Sequence, residues 1–466
     1  MLGFATPKTF GTLRLKHLLG LDGAIAYTVL ARLCNIVGST GTVLLIVHFL
    51  SPVEQGYYYT ILGLVALQTV FELGLTFVIL QMAAHECIHL VLRTNGDVEG
   101  DPIAHARLAS VLRQTVRWYL AAAAVLWIVL LPFGLFFFSL RAHKGIDVAW
   151  HGPWIAAVSA CALMFLLDPL CSFLEGCGQV RQVANVRFWQ ALAVVAMSWT
   201  SLITRHGLYA PAMIMVGYAG VAAIFLWTRR KILLGLMRYK VHGQAVSWRK
   251  EIWPFQWQIA VSSLCAYFTM QVFTPLLFAF RGPVEAGQMG MSLSIAGYLS
   301  IVALSWMSTK AAPFGQMVSS GRLAELRDFF FRTVWQSSGV FIGLSIACEA
   351  GIIVLYFFLP RLAARMLSPW IFGLLILATG GRFAAQSMAI YLRSFKREPF
   401  LVQSTVVASL TLLFSLLVVR TWGSAGLAFV YLACTGIVGV VLAVKAFRSW
   451  ESAGGVGAVG TAKAEG

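Results

Sequence analysis

Pro52-Val53-Glu54-Gln55-Gly56 recurs as Pro283-Val284-Glu285-Ala286-Gly287, 231 residues further along a chain of 466. The offset is close to the half-length, so the chain reads as two similar halves. Each copy follows a long apolar run, at residues 22–50 and 253–280, and shifting the first run by the offset lands it on the second. Both copies thus mark a short turn into the second apolar run of a half.

Working outward from the two copies, apolar runs fall at about 22–50, 54–82, 117–140, 153–176, 187–204, 208–228, 253–280, 283–308, 334–359, 369–392, 399–419 and 424–444. Each is long enough for a transmembrane helix, which needs about 20 apolar residues. The composition agrees: 59% of residues are hydrophobic and 11% charged, where soluble domains carry about 25% charged. The expected fold is an all-α polytopic membrane protein of about twelve transmembrane helices, in two six-helix lobes related by pseudo-two-fold symmetry along the membrane normal. The divisions are 1–21, a cytoplasmic N-terminal segment; 22–228, the first lobe; 229–252, a basic cytoplasmic linker; 253–446, the second lobe; and 447–466, a flexible cytoplasmic tail.

The net charge of +17 is a matter of orientation, and nucleic acid is excluded as its cause. With these spans, 26 of the 35 Lys and Arg lie on one side, counting Arg117 and Arg187 at the edges of their spans, and 7 on the other, leaving Arg32 and Arg382 in span interiors. By the positive-inside rule both termini are cytoplasmic. Trp118, Trp154, Trp227, Trp253, Trp335 and Trp370 fall near span ends, where amphipathic rings suit the headgroup zone. The first run is too long for a signal-peptide core and is expected to be retained. Of eight cysteines, none forms a close metal-type pair, and those in spans (Cys34, Cys161, Cys171, Cys265, Cys348 and Cys434) read as buried thiols. The basic linker reads as a topology anchor resting on anionic lipid.

Ionisable residues inside spans are costly, so each is a candidate site. Arg32, Glu72, Asp168, Glu175, Glu349 and Arg382 are of this kind. Arg32, Glu72 and Asp168 fall at similar depth and can meet inside the first lobe. Polar residues continue their helical faces: Arg32, Asn35, Ser39 and Thr42; Gln68, Glu72 and Thr76; Gln256, Ser263, Tyr267, Gln271 and Thr274; Thr379, Arg382 and Gln386. Four such stripes suit the wall of a wet cavity between two repeats, where transporters place substrate. The bland alternative is that these charges neutralise one another, Arg32 with Glu72 or Asp168, while Glu175 snorkels. The functional alternative gives the arginines an anionic substrate group, since guanidinium is the bidentate partner of phosphate. Glu72, Asp168 and Glu349 would then serve coupling or charge pairing. Gly38 and Gly41 are expected to interrupt span 1, and Pro275 to kink span 7.

One motif points elsewhere. His85-Glu86-Cys87-Ile88-His89 matches H-E-x-x-H, the zinc-protease helix with two histidine ligands and a glutamate base. Leu21-Asp22-Gly23 resembles the third-ligand element of intramembrane site-2 proteases, but it precedes the motif, whereas in that family it follows. The motif also sits at a span end, and proteolysis does not account for twelve spans with an internal repeat. No G-x-x-x-x-G-K-[ST] loop is present, and the longest outward loop, about 141–152, is too short for the outer catalytic region of a polysaccharide polymerase. No resident metal or cofactor is called for.

Leu50-Ser51-Pro52-Val53-Glu54-Gln55-Gly56-Tyr57, followed by Phe71-Glu72-Leu73-Gly74-Leu75, resembles the start of the bacterial polysaccharide flippases. These belong to the multidrug, oligosaccharidyl-lipid and polysaccharide exporter superfamily. Trp253-Pro254-Phe255-Gln256-Trp257 and Glu285-Ala286-Gly287-Gln288-Met289-Gly290 continue the likeness. The resemblance implies a central cationic cavity and movement of an undecaprenyl-diphosphate-linked oligosaccharide from the inner to the outer leaflet of the bacterial cytoplasmic membrane, for O-antigen, capsule or exopolysaccharide. Arg32 would face the diphosphate, and Glu72 holds the family's acidic position. Arg32, Asn35, Arg382, Gln386, Gln256, Tyr267 and Gln271 are the expected cavity residues. A proton or sodium gradient is the candidate drive, and a polymerase or export machinery the candidate protein partner alongside membrane lipids. Within the superfamily, a cation-coupled drug exporter is the alternative; a zinc protease using His85, Glu86 and His89 is the alternative of another class.

Overall fold

A computed structural model of the protein describes residues 23–88, 90–92, 98–141, 148–239, 253–395 and 400–452. The expected N-terminal segment 1–21, most of the linker and the last residues of the tail lie outside the described residues. In chain order the helices are α1 (Gly23–Phe49), α2 (Pro52–Val65), α3 (Gln68–Glu72), α4 (Leu75–Cys87), α5 (Pro102–Arg141), α6 (His151–Gly176), α7 (Val180–Ile203), α8 (Ala210–Thr228) and α9 (Arg230–Arg238). They continue as α10 (Trp253–Met270), α11 (Phe273–Phe280), α12 (Pro283–Thr309), α13 (Ala311–Ser319), α14 (Leu323–Phe358), α15 (Pro360–Ala363), α16 (Pro369–Arg393), α17 (Leu401–Tyr431) and α18 (Gly439–Ser452). A π-helical segment, Leu432–Val438, joins the last two. Between α4 and α5, β1 (Leu90–Leu92) pairs antiparallel with β2 (Val98–Gly100), a small hairpin the sequence reading did not foresee.

Among the described residues, nine helical stretches are long and apolar enough to cross a membrane, or eleven if each of two bent pairs is one span. The longest, Leu401–Ser449, covers both of the last two expected spans. Between them Gly423 takes φ 54° and ψ −136°, a left-handed geometry that breaks the helix and that a side chain would oppose. Large apolar side chains such as Leu44, Ile128, Ile224, Ile346 and Leu417 are exposed in mid-span, as a lipid solvent requires. The chain is a multi-pass, all-α membrane protein.

By its internal contacts the chain divides into two compact units. One comprises Met1–Phe49, Gly74–Leu135 and Ala149–Gln256; the other comprises Leu50–Leu73, Phe136–Val148 and Trp257–Gly466. The sequence places the division between the two lobes at the basic linker. In the structure, Leu50–Leu73, carrying the first copy of the repeat motif, groups with the second half of the chain.

In the first unit α1 packs along α7, α6 and α7 pack on α8, and α4 packs on α6. α1 is continuous from Gly23 to Phe49, which corrects the expectation that Gly38 and Gly41 interrupt it. A Cβ at Gly38 would overlap Val195, and one at Gly41 would overlap Trp199. These glycines therefore bring α1 close to α7. The Trp199 indole donates to Thr42 Oγ1 at 3.0 Å and fixes the same contact.

In the second unit α2 and α12, the two helices that begin with the repeat motif, pack against each other. α2 starts with a capping box: Glu54 N donates to Ser51 Oγ at 3.2 Å, and Ser51 N donates to Glu54 Oε2 at 2.8 Å. Pro52 at the first position costs no hydrogen bond there. A Cβ at Gly56 would overlap the Pro283 carbonyl, and one at Gly287 would stand 2.9 Å from Gly56 N. The motif's glycines thus let the two copies meet backbone to backbone. Away from this contact, Phe314, Phe330, Tyr391 and Phe447 fill an aromatic core among α13, α14, α16 and α18.

Two spans are bent. α10 and α11 meet at 45°, as expected of span 7, with Pro275 in the first turn of α11, where its missing N–H is harmless. A second break, not anticipated, separates α3 from α4. Leu73 (φ 52°) and Gly74 (φ 66°) are both left-handed, which costs a residue such as Leu about 1–2 kcal/mol. The acidic-Leu-Gly-Leu element is therefore the break itself, with Glu72 the last residue before it.

Candidate functional site

The expected cavity residues divide between the two units. On α16 of the second unit, Thr379, Arg382 and Gln386 occupy successive turns of one face. Thr379 is buried, and its hydroxyl donates to the Leu375 carbonyl at 2.7 Å. Arg382 and Gln386 are half-buried, and Arg382 Nε and Gln386 Oε1 are shielded from solvent without a hydrogen-bond partner among the described residues. Tyr431, fully enclosed at the end of α17, lies close to both Thr379 and Arg382 and donates weakly to Met270 Sδ at 3.8 Å.

The segment behind Arg382 is the π helix. A Cβ at Gly381 would stand 2.6 Å from the Gly436 Cα, so α16 and the π segment touch through backbone. A π turn widens the helix and displaces its carbonyls from regular pairing, a geometry frequent at functional sites. Glu349, on α14, keeps Oε2 buried and unpartnered among the described residues, and no ion pair joins it to Arg382 there. A half-buried arginine with an unused N–H is a standing offer of a charge-assisted hydrogen bond to an anion.

On α10, Tyr267 is buried and its hydroxyl donates to the Gly63 carbonyl of α2 at 3.2 Å. That bond ties two helices and leaves Tyr267 a bracing role. Gln271 is exposed at the α10–α11 bend. Gln256 is 1% exposed, and both its amide atoms lack a partner among the described residues.

In the first unit Arg32 and Asn35 are exposed on α1. The Ser39 hydroxyl donates to the Asn35 carbonyl, while Thr42 is engaged by Trp199. The stripe is therefore exposed at Arg32 and Asn35 and closed by packing at Thr42. Asp168 is also exposed on α6. Glu175, further along α6, pairs with Arg187 at 2.8 Å, so it is neutralised inside the unit. Thr76 and Tyr119 share a hydrogen bond of 3.2 Å.

The H-E-x-x-H residues have a different use. His85 is exposed, His89 lies outside the described residues, and Glu86 is buried with Arg107 Nε at 2.8 Å. The Glu86 carboxylate is thus engaged by Arg107 within the unit. No group of three metal-type side chains occurs among the described residues.

Two polar arrangements escaped sequence reading. Gln55, 1% exposed, donates through Nε2 to the Gly287 carbonyl at 3.0 Å and the Arg365 carbonyl at 2.9 Å. Arg365, in the turn before α16, donates back to the Leu50 carbonyl at 2.6 Å. Burial pushes the Arg365 pKa down, and Glu54 opposes that shift. The second arrangement is at Glu285: it takes Arg281 Nε at 3.0 Å and, through Oε1, the Ser424 N–H at 2.6 Å. Glu285 thus caps the backbone where Gly423 breaks the helix. The repeat motif signalled both sites, but their partners are more than 130 residues away in sequence.

No protein-family model and no curated protein matches the chain. Solved structures do. A structure titled lipid II flippase MurJ, inward closed conformation, superposes with a TM-score of 0.55 at 12% identity, covering 91% of this chain and 89% of that one. An inward-facing multidrug resistance MATE family transporter of the MOP superfamily gives 0.54 at 13% identity, over 90% and 98%. The MATE multidrug transporter DinF-BH gives 0.53 at 15%, over 91% and 96%. The chain therefore has the fold shared by these proteins, as the repeat and turn motifs implied.

Proposed function

We propose that the chain is a membrane transporter that flips an undecaprenyl-diphosphate-linked oligosaccharide from the inner to the outer leaflet of the bacterial cytoplasmic membrane by alternating access. The observation carrying this reading is Arg382, a guanidinium inside a span whose Nε is buried without a partner among the described residues. A diphosphate supplies the acceptor that such a group lacks, and guanidinium recognises phosphate oxygens bidentately. Arg32, exposed on its helix, is the second candidate contact, and Glu72, Asp168 and Glu349 are the candidates for proton or sodium coupling. The likeness in fold to a lipid II flippase supports a lipid-linked cargo.

A cation-coupled multidrug exporter is the second reading, favoured by the likeness to MATE transporters. Span-interior arginines oppose a cationic drug by repulsion, which places this reading second.

The test is deletion of the gene in its own host, followed by complementation. Loss of surface glycan with lipid-linked repeat units accumulating on the cytoplasmic side supports flipping. Unchanged glycan with altered drug sensitivity sinks it in favour of the exporter.

A further inference from the structure

The first unit holds a second basic site that the flipping reading does not use. α9 begins two residues after α8 ends and buries Ile232, Leu233 and Leu236. Its other side exposes Arg230, Lys231, Leu234, Met237 and Arg238. A short helix of this pattern, directly after a span, rests in the plane of the membrane surface. Its far end is clamped by α5: Arg113 Nε donates to the Met237 carbonyl at 3.1 Å, and its NH2 group donates to the Tyr239 carbonyl. The Tyr239 ring also stacks on His105 with centroids 3.7 Å apart.

Between the clamped helix and α5 lies a cavity of about 420 Å³ lined by Arg113, Val116, Arg117, Met237 and Arg238. Three of the five lining residues are arginines, and no carboxylate pairs with any of them among the described residues. Arg117 and Arg238 are exposed. An anion lying among several positive charges is attracted by each of them. Two features choose among anions. Val116 and Met237 give the cavity an apolar side, which free phosphate does not need. Trp118, 36% exposed, follows Arg117 and opens the outward-facing apolar run of α5 through Leu120, Val125 and Ile128. The arginines therefore stand where lipid headgroups begin, with acyl-compatible surface next to them.

We propose that this cavity binds one anionic glycerophospholipid, its phosphodiester held by Arg113, Arg117 and Arg238 and its glycerol end against Val116 and Met237. Basic pockets at the cytoplasmic ends of membrane helices are suited to such headgroups. The site uses neither Arg32 nor Arg382, and it does not depend on the identity of the transported molecule.

The test uses the full chain in nanodiscs of phosphatidylcholine with or without phosphatidylglycerol, and native mass spectrometry of the released protein to count retained phosphatidylglycerol. Arg113 is left intact because it caps α9. The double variant Arg117→Gln/Arg238→Gln is compared with wild type and with Arg361→Gln, a change at an exposed arginine elsewhere. Wild type and Arg361→Gln should retain one tightly held phosphatidylglycerol, and the double variant should hold it about tenfold or more weakly, the loss expected from two charge-assisted contacts. Millimolar inorganic phosphate should not displace the lipid. Equal retention by the double variant and wild type overturns the proposal. Displacement by inorganic phosphate also overturns it, and identifies a free-anion site.

Discussion

Gln55 and Arg365 lock each other in place: the Gln55 amide donates to the Arg365 carbonyl at 2.9 Å, and the Arg365 guanidinium reaches back to the Leu50 carbonyl at the start of the same motif. The Gln55 amide is buried and Arg365 is half-buried, and an unmatched buried donor or acceptor costs about 1–3 kcal/mol. Gln55→Ala leaves the Gly287 and Arg365 carbonyls without this donor. It should lower the thermal unfolding midpoint in detergent clearly more than Gln288→Ala, which removes an exposed bond to the Ala364 carbonyl. Equal midpoints for the two variants would remove the lock from the account.

Gly56 tests the close approach of the two motif copies. In Gly56→Ala the new methyl meets the Pro283 carbonyl, a backbone atom that cannot rotate away. Overpacking of this kind costs about 1–3 kcal/mol. Gly220→Ala meets open space and should leave stability near wild type. Thermal unfolding and membrane yield of the two variants check the contrast.

Arg32 and Arg382, the proposed substrate contacts, give a third prediction. Under the proposed flipping, Arg32→Ala, and less severely Arg382→Ala, should abolish export while membrane levels stay intact. Lysine at either position should restore only part, because a point charge lacks the planar fork. Surface glycan measured in the complemented deletion strain reads this directly. Tolerance of alanine at both positions would show that no cationic cavity is needed.

Glu285 should matter to stability, whereas Glu325 should not. Glu285→Ala leaves the Ser424 N–H and Arg281 without their acceptor beside the Gly423 break, a loss of about 1–3 kcal/mol. Glu325→Ala breaks an exposed pair with Arg322, worth under about 1 kcal/mol. The difference is measured by denaturation of the two purified variants.

Glu86 separates a structural role from a zinc-protease role. Glu86→Gln should reduce stability by weakening the Arg107 pair, while the zinc content of the purified protein stays unchanged. Zinc bound stoichiometrically to wild type would revive the protease reading.

Much of the architecture was legible because lipid imposes it locally. Apolar length, the placement of Lys and Arg, and the half-length repeat are each read from a contiguous window, so spans and fold class could be read before any contact was known. Pro275 announced the bend in span 7 for the same reason. Leu73 did not announce the bend in span 2, since a left-handed leucine is tolerated only when its surroundings hold it there.

Side-chain roles were less legible. Arg382 and Gln386 could be placed on one helix face from their spacing, but that Arg382 Nε would lack a partner required its neighbours on other helices. Tyr267 looked like a cavity wall and is a brace to Gly63. Glu54 and Glu285 occupy equivalent positions in the two motif copies; Glu54 caps its own helix, whereas Glu285 caps a break near Gly423. The sequence by itself determined which segments must be helical and apolar, because backbone hydrogen bonding and burial in lipid act within a few turns. Only the tertiary structure decided which polar groups are satisfied, because a hydrogen bond depends on an atom's position to within a few tenths of an ångström, and the partner is often supplied from more than a hundred residues away.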